Sequence, residues 1–188
     1  MMLKCTLILD SEINMNYLDM LCEEIDRARE RFLRMLEGVS LEEANSFPVA
    51  DITPQVKSLT WLTWHTAREL DLQIAHLAKT ETIWVEQLFE DKFSFEVGQD
   101  EDGWNHTLEQ AKKIVVDDFT DLKTYLNASC DFAITYLKSL EEASFDDVVD
   151  DSWTPPVTRG VRLVSIIDDA AMHSGQAIYA RRLLGLKD

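Results

Sequence analysis

The chain has few cysteines, prolines and glycines, and it has no long apolar run. Its three cysteines (Cys5, Cys22 and Cys130) are widely spaced and form no CxxC pair, which argues against a disulfide framework and a thiolate zinc site. Only six glycines and four prolines occur, against 46% hydrophobic residues, so extensive disorder is not expected. No apolar stretch reaches the roughly 18 residues of a membrane span, and the first residues do not resemble a signal peptide. We predict a cytoplasmic protein.

Basic residues are also scarce. Lysine and arginine total 18 against 35 aspartate and glutamate residues, which gives a formal net charge of −17. Such a chain lacks the basic stripe that supplies non-specific affinity for nucleic acid, and its charge disfavours anionic membranes. We therefore expect neither nucleic acid nor a membrane as a partner.

What the sequence has is helical periodicity. Apolar residues recur every three to four positions in four long segments, at about 14–36, 58–79, 118–140 and 161–184. A loop is expected over about 80–105, and strand-like alternation is confined to residues 3–9. Four helices of this length with apolar stripes predict an all-α four-helix bundle. We assign residues 1–188 to one domain, with 1–13 as an extension.

Three ligand-type side chains stand on apolar helix faces. Asp169 and His173 are four residues apart in the last predicted helix, so they share a face with Cβ atoms roughly 5–6 Å apart. His65 lies in the second predicted helix, in WLTWHTAREL. If the two helices face each other, two imidazoles and a carboxylate converge, and the open coordination positions are typical of a catalytic metal site.

Other interpretations of these residues remain open. His65 alone is also consistent with a hydrogen-bonded core histidine. Asp169 lies among apolar residues, so it either faces solvent at the helix edge or meets a cation. A metal, Arg68 or protonated His173 would each serve as that cation. His76 would lie roughly 16 Å along the helix from His65, too far to share an ion.

Familiar catalytic motifs are missing. The chain has no GxSxG nucleophile elbow, no GxxxxGK[ST] phosphate loop and no GxGxxG dinucleotide fingerprint. The Glu-x-x-His pairs of di-iron bundles are absent as well.

Three segments carry a family resemblance: WLTWHTARELD, WNHTLEQ and WTPPVTRGVRLVSIIDDAAMHSGQAIYARRLLG. They resemble the DinB/YfiT-like superfamily, and within it the branch related to mycothiol-dependent and bacillithiol-type thiol transferases. The resemblance covers about residues 59–185. It implies an up-down-down-up four-helix bundle, often dimeric, with long loops over the end that holds a divalent metal, commonly zinc or nickel.

The resemblance also implies a ligand set. The family pattern is one histidine on the second helix and an H-x-x-x-H pair on the fourth, and these positions fall on His65, Asp169 and His173. Asp169 departs from the pattern, since many members have histidine there, although a carboxylate is itself a metal ligand. Gln176, three residues past His173, is the candidate to orient a ligand or bound water.

Two hypotheses of function follow. The first is a metal-dependent enzyme that transfers a low-molecular-weight thiol to a small electrophile, or hydrolyses a substrate in a close variant. In it Arg68 or Arg159 would meet a substrate carboxylate, while Trp61, Trp153 and Phe93 would form apolar walls. The second hypothesis is a non-catalytic metal-binding bundle or a dimeric interaction protein. The resemblance implies a homodimer as the assembly.

Overall fold

Four long helices make up most of the structure, a computed structural model that describes residues 15–187. They are α1 (Tyr17–Met35), α3 (Leu59–Ala78), α6 (Phe119–Lys138) and α7 (Arg159–Leu183). The all-α class predicted from the sequence is confirmed. The strand-like alternation noted at residues 3–9 lies outside the described residues.

Shorter elements occupy the connections between these helices. They are α2 (Leu41–Asn45), α4 (Ile83–Glu86), α5 (Leu108–Ala111) and two 3-10 turns (Phe89–Asp91 and Glu142–Asp146). An antiparallel ribbon joins β1 (Val148–Asp150) to β2 (Val157–Thr158). The sequence predicted only a loop where α4 lies and did not predict the ribbon, because elements of two to four residues leave almost no periodicity to detect.

Local capping signals determine where the helices begin and end. The Ser58 hydroxyl accepts a hydrogen bond from the Trp61 N–H at the start of α3, and Ser40 and Glu43 form a complete capping box at α2. After α7, Gly185 adopts a φ of +79°, as expected for a glycine that follows a helix C-terminus. Every predicted end of a long helix lies within three residues of the observed one.

Helices α3 and α6 pack side by side and run in the same direction. The Tyr125 hydroxyl donates to Asp71, 2.8 Å away. Farther along both helices, the Tyr136 hydroxyl donates to the Leu77 carbonyl over 3.4 Å. Because the partners advance together along the two helices, α3 and α6 are parallel.

Helices α1 and α7 form the second parallel pair. The Arg31 guanidinium donates to the Ser174 hydroxyl over 3.3 Å, and the Arg181 guanidinium donates to the Met35 carbonyl over 2.9 Å. Between the two pairs, α7 packs against α3 and α1 packs against α6.

Helix α7 runs opposite to α3. Arg162, near the start of α7, donates to Gln73 near the end of α3, while His173, later in α7, lies beside His65, earlier in α3. Two parallel pairs that oppose each other give the up-down-down-up arrangement. This topology brings the two helices that carry the predicted ligands face to face.

The first half of α3 is buried on every side. All residues from Leu59 to Arg68 are buried, whereas a helix at the edge of a bundle normally buries only one stripe. The extra cover comes from residues 98–106, which we call the covering loop. The loop packs so closely that a Cβ atom added at Gly103 would lie against the rings of Trp61 and Trp64.

The long connections lie at both ends of the bundle. The covering loop and the 36–58 connection lie at the end where α3 begins, as the Arg181 hydrogen bonds to the Met35 and Glu37 carbonyls show. The 139–158 connection lies at the opposite end, where Phe145 meets Tyr17 edge-on. None of the helices within residues 15–187 is long and apolar enough to cross a membrane.

Candidate functional site

The structure brings His65, Asp169 and His173 together between α3 and α7; we call them the His–Asp–His cluster. One ligand-type atom from each residue lies within 4.8 Å of those of the other two. The two imidazole rings are 4.7 Å apart and nearly perpendicular, and His173 Nε2 is 3.4 Å from Asp169 Oδ1. His65 and His173 are buried, and Asp169 is mostly buried.

Outer hydrogen bonds hold both imidazoles. His65 Nδ1 lies 2.5 Å from the Asp102 carbonyl oxygen, and His173 Nδ1 lies 2.8 Å from Gln176 Oε1. Because both oxygens only accept hydrogen bonds, each Nδ1 carries the proton and donates it. In the neutral form of each histidine Nε2 therefore presents a lone pair, which is the state that a metal-ligating histidine requires.

Two buried atoms of the cluster lack hydrogen-bond partners. Asp169 Oδ2 and His173 Nε2 are both inaccessible to solvent and make no hydrogen bond to any of residues 15–187. Leaving a buried polar atom unsatisfied costs roughly 1–3 kcal/mol, so such atoms are uncommon and need an explanation. A cation held between the two would satisfy both, and the nitrogen and oxygen donors suit a divalent transition metal.

The surroundings shift the pKa values of the two histidines in opposite directions. Burial lowers the pKa of His65, which outweighs the hydrogen bond to the Asp102 carbonyl. Burial also acts to lower the pKa of His173, but the nearby Asp169 carboxylate, together with Gln176 and the charge of Glu69, raises it further than burial lowers it. His65 is thus the more strongly held in its neutral form.

Glu69 is a nearby ionisable group that the sequence reasoning missed. Burial raises the pKa of Glu69 to about 7, with a further contribution from its hydrogen bond to the Asp102 side chain and from the charge of Asp169. A signal was available, since Glu69 follows His65 by four residues and so shares its helix face. An acid on a face that must be buried needs a partner.

Arg68 contacts the covering loop, whereas the sequence suggested that it would meet a substrate carboxylate or Asp169. Its side chain is fully buried and donates to the Gly98, Gln99 and Glu101 carbonyls of the covering loop. It also pairs with Asp71 at 3.6 Å. The structure thus shows Arg68 holding the covering loop against α3, with its donors directed at the backbone.

A ring stack connects the covering loop to the cluster. The indole of Trp61 stacks on His65 with ring centroids 4.5 Å apart, and its Nε1–H donates to His106 Nδ1 over 3.1 Å. His106 Nε2 in turn lies 2.6 Å from Glu101 Oε1. His106 therefore supports Trp61 and with it the ring that covers His65.

The other residues named from the sequence lie away from the cluster. Phe93 stacks on Trp84, on the side of α3 that faces α6. Trp153 is exposed in the 139–158 connection, and Arg159 donates to Ser144, Tyr136 and Asp147 at that same end. His76 is exposed near the end of α3. Of the three proposed apolar walls, only Trp61 contacts the site.

Replacing Gly103 with alanine is expected to loosen the covering loop and weaken metal binding. Gly103 has a φ of +93°, and an added Cβ would lie 2.9 Å from the Trp64 ring and 3.2 Å from that of Trp61. Displacement of the Asp102 carbonyl would then remove an outer-shell hydrogen bond, which is worth about 10–100-fold in metal affinity. Metal titration of both proteins measures the change.

Gly38→Ala is the matched control, because Gly38 also has a positive φ, +64°, but an open Cβ position. Both variants should lose stability from the strained backbone. Only Gly103→Ala should also lose metal affinity. Equal affinities in the two variants would contradict the role assigned to the loop.

Comparison with known proteins agrees with the fold and with the resemblance. The family model described as mycothiol-S-transferase matches residues 20–185. The crystal structure of a conserved protein from Enterococcus faecalis is 47% identical, covers 90% of this chain and 98% of its own, and superposes with a TM-score of 0.84. Among curated proteins no match is found. Since the family model spans most of the sequence, the chain belongs to the mycothiol-S-transferase family.

Proposed function

We propose that the protein is a divalent-metal-dependent transferase that joins a low-molecular-weight thiol to a small electrophile. Membership of the mycothiol-S-transferase family supports the reaction class. The observation that carries the proposal is the convergence of His65, Asp169 and His173, whose ligand atoms lie within 4.8 Å of one another. A structural histidine or an Asp169–His173 ion pair alone would still leave Asp169 Oδ2 without a partner.

The residues of the His–Asp–His cluster would hold the cation. Three protein ligands leave a coordination position for a substrate, as in catalytic rather than structural zinc sites. When bound, the cation lowers the pKa of a coordinating thiol, so that the nucleophilic thiolate is available near neutral pH. We propose zinc or nickel as the metal, as the family resemblance implies, and two imidazoles and a carboxylate can ligate either.

The neighbours of the cluster position its imidazoles. The Asp102 carbonyl fixes the tautomer of His65, and the Gln176 amide oxygen fixes that of His173. We therefore propose that Gln176 acts through His173. The Trp61 ring covers His65 and would limit the access of water to the imidazole. Arg68 would support the reaction indirectly, by holding the covering loop that supplies the Asp102 carbonyl.

The cellular setting and assembly follow the same reasoning. A low-molecular-weight thiol is kept reduced in the cytoplasm, where the two described cysteines, Cys22 and Cys130, would also remain free as they are here. We propose a cytoplasmic protein whose partners are a small thiol and an electrophile. A homodimer is proposed as the assembly, and light scattering of the purified protein tests it.

Metal reconstitution coupled to a thiol-consumption assay tests the proposal. Chelator-treated protein would be reloaded with zinc, nickel, manganese or iron(II) and its metal content determined. We expect one ion per chain and metal-dependent consumption of at least one of mycothiol, bacillithiol and glutathione with a fluorogenic bimane electrophile. Stoichiometric metal without turnover across the panel would favour the non-catalytic binding module, and failure to bind any of the four metals would contradict both.

A further inference from the structure

A groove adjoins the His–Asp–His cluster on the outer side of α7. We call it the α7 groove; it has a volume of about 480 Å³ and lies between α7, the start of α3 and the end of the 36–58 connection. Pockets for small ligands typically have volumes of roughly 300–1,000 Å³. The lining residues are Gln55, Val56, Lys57, Leu62, Met172, Gly175, Gln176, Tyr179 and Ala180.

Gln176 lies between the groove and the candidate metal site. It lines the groove and also accepts the hydrogen bond from His173, although none of the three proposed metal ligands lines the groove itself. On the opposite side, Lys57 lies 5.5 Å from the centre of the Trp61 ring, and that ring stacks on His65. A molecule in the groove would therefore lie one side chain away from the ligands of the proposed metal.

The charge of the groove differs from that of the whole chain. Acidic residues outnumber basic residues by 35 to 18 in the sequence, yet the nine lining residues include one cation and no acid. Lys57 is half-buried, and burial lowers its pKa, as expected for an ammonium group with incomplete solvation. A ligand anion would replace part of that missing solvation.

Lys57 also has hydrogen-bonding capacity for a ligand. Its ammonium group has three N–H donors, and the structure shows one of them directed at the Pro54 carbonyl, 3.1 Å away. Apart from Lys57, polar groups are limited to the two glutamine amides and the Tyr179 hydroxyl, while the other walls are aliphatic or thioether. Such a lining suits a ligand that has an apolar body and a single anionic group better than it suits a polyhydroxylated molecule.

Gly175 keeps the groove open. It lies on the exposed side of α7, inside a 25-residue helix, where glycine is among the least favourable residues. A Cβ atom at this position would meet nothing within 4 Å. No packing within residues 15–187 therefore requires glycine here, whereas any long side chain would extend into the groove that Gly175 lines.

We propose that the α7 groove binds the electrophilic substrate, and that this substrate is a small molecule with an apolar body and one carboxylate or similar anion held by Lys57. Its identification as the electrophile rests on the proposed thiol-transferase function. Low-molecular-weight thiols carry several polar groups along their length, and this groove offers few partners for them. The thiol would approach the metal ligands from another side.

Two probes that differ in one group test the proposal on the full-length protein. 6-Phenylhexanoate and 6-phenylhexan-1-ol share an apolar body, and only the first carries an anion. We expect isothermal titration to show about ten-fold tighter binding of the carboxylate, in line with a charge-assisted hydrogen bond. Lys57→Met should remove this difference, and Gly175→Leu should abolish binding of both probes.

Two control variants test whether the losses in Lys57→Met and Gly175→Leu come from the groove itself. Lys123 also lies 5.5 Å from an aromatic ring centre, that of Phe119, so Lys123→Met removes a similar cation outside the groove. Ser165→Leu adds the same side chain at an exposed position of α7 that does not line the groove. Both controls should bind the probes as the unmodified protein does.

Failure of this proposal is distinguishable from failure of the proposed function. If the protein binds no metal but discriminates between the probes through Lys57, the groove stands as an anion-binding apolar site and the transferase function fails. If metal-dependent turnover occurs but neither probe binds or competes, the groove proposal is overturned. It is also overturned if Gly175→Leu leaves probe binding intact and only changes a dimer to a monomer, because the groove would then be an interface between copies.

Discussion

His65→Ala is expected to abolish stoichiometric metal binding and metal-dependent turnover while the bundle remains folded. Among residues 15–187 the proposed site has three protein ligands, and His65 is the one contributed by α3. Loss of even an outer-shell partner costs about 10–100-fold in metal affinity, so loss of a direct ligand should exceed roughly 100-fold. Metal content after desalting and thiol consumption under saturating substrate measure the two effects.

His76→Ala provides the control for this substitution. His76 lies on the same helix but is exposed, so its removal should change neither metal content nor turnover. Circular dichroism would establish that both variants keep their helices. The interpretation of the site would be wrong if His65→Ala retained one ion per chain with unchanged affinity.

Asp71→Asn is expected to have the largest effect on stability. The Asp71 carboxylate accepts hydrogen bonds from the Ile83 and Trp84 N–H groups, at 2.7 and 2.9 Å, and from the Tyr125 hydroxyl. It is also the acid paired with the fully buried Arg68. Removing its charge leaves Arg68 uncompensated, and breaking a buried ion pair in this way costs about 3–5 kcal/mol.

Thermal unfolding measures this loss. For a chain of 150–250 residues each kcal/mol lowers Tm by about 2–4 °C, so a fall of roughly 10 °C is expected. Asp168→Asn, on the exposed face of α7, removes the same charge and should change the free energy of unfolding by less than about 0.5 kcal/mol. Equal Tm values for the two variants would contradict the role assigned to Asp71.

Helix positions could be predicted from the sequence because their signals are local. Ser58, Thr107 and Gly185 mark helix ends through hydrogen bonds or backbone conformations within a few residues. The His–Asp–His cluster was predictable in part for the same reason, since the four-residue spacing of Asp169 and His173 fixes their shared face. Their approach to His65 depends on which helices pack together, and only the resemblance supplied that information.

The surroundings of the cluster were less predictable. The Asp102 group that bonds His65 is a backbone carbonyl in an irregular loop, and no residue type encodes it. Arg68 looked available to a substrate because a charged residue near a site motif is usually exposed. Its partners are loop carbonyls 30 to 33 residues away, and such contacts leave no mark in the sequence near Arg68.

The up-down-down-up topology has a consequence for folding in the presence of a cation. His65 and Asp169 are 104 positions apart in the chain, so an ion held by both would tie together two distant segments. Cross-links that close long loops restrict the unfolded ensemble most strongly. An ion that binds only the native state also increases the free energy of unfolding as the ion concentration rises. The ion would then act as a reversible cross-link, and the resistance of the bundle to heat or protease would report how much of the protein is loaded.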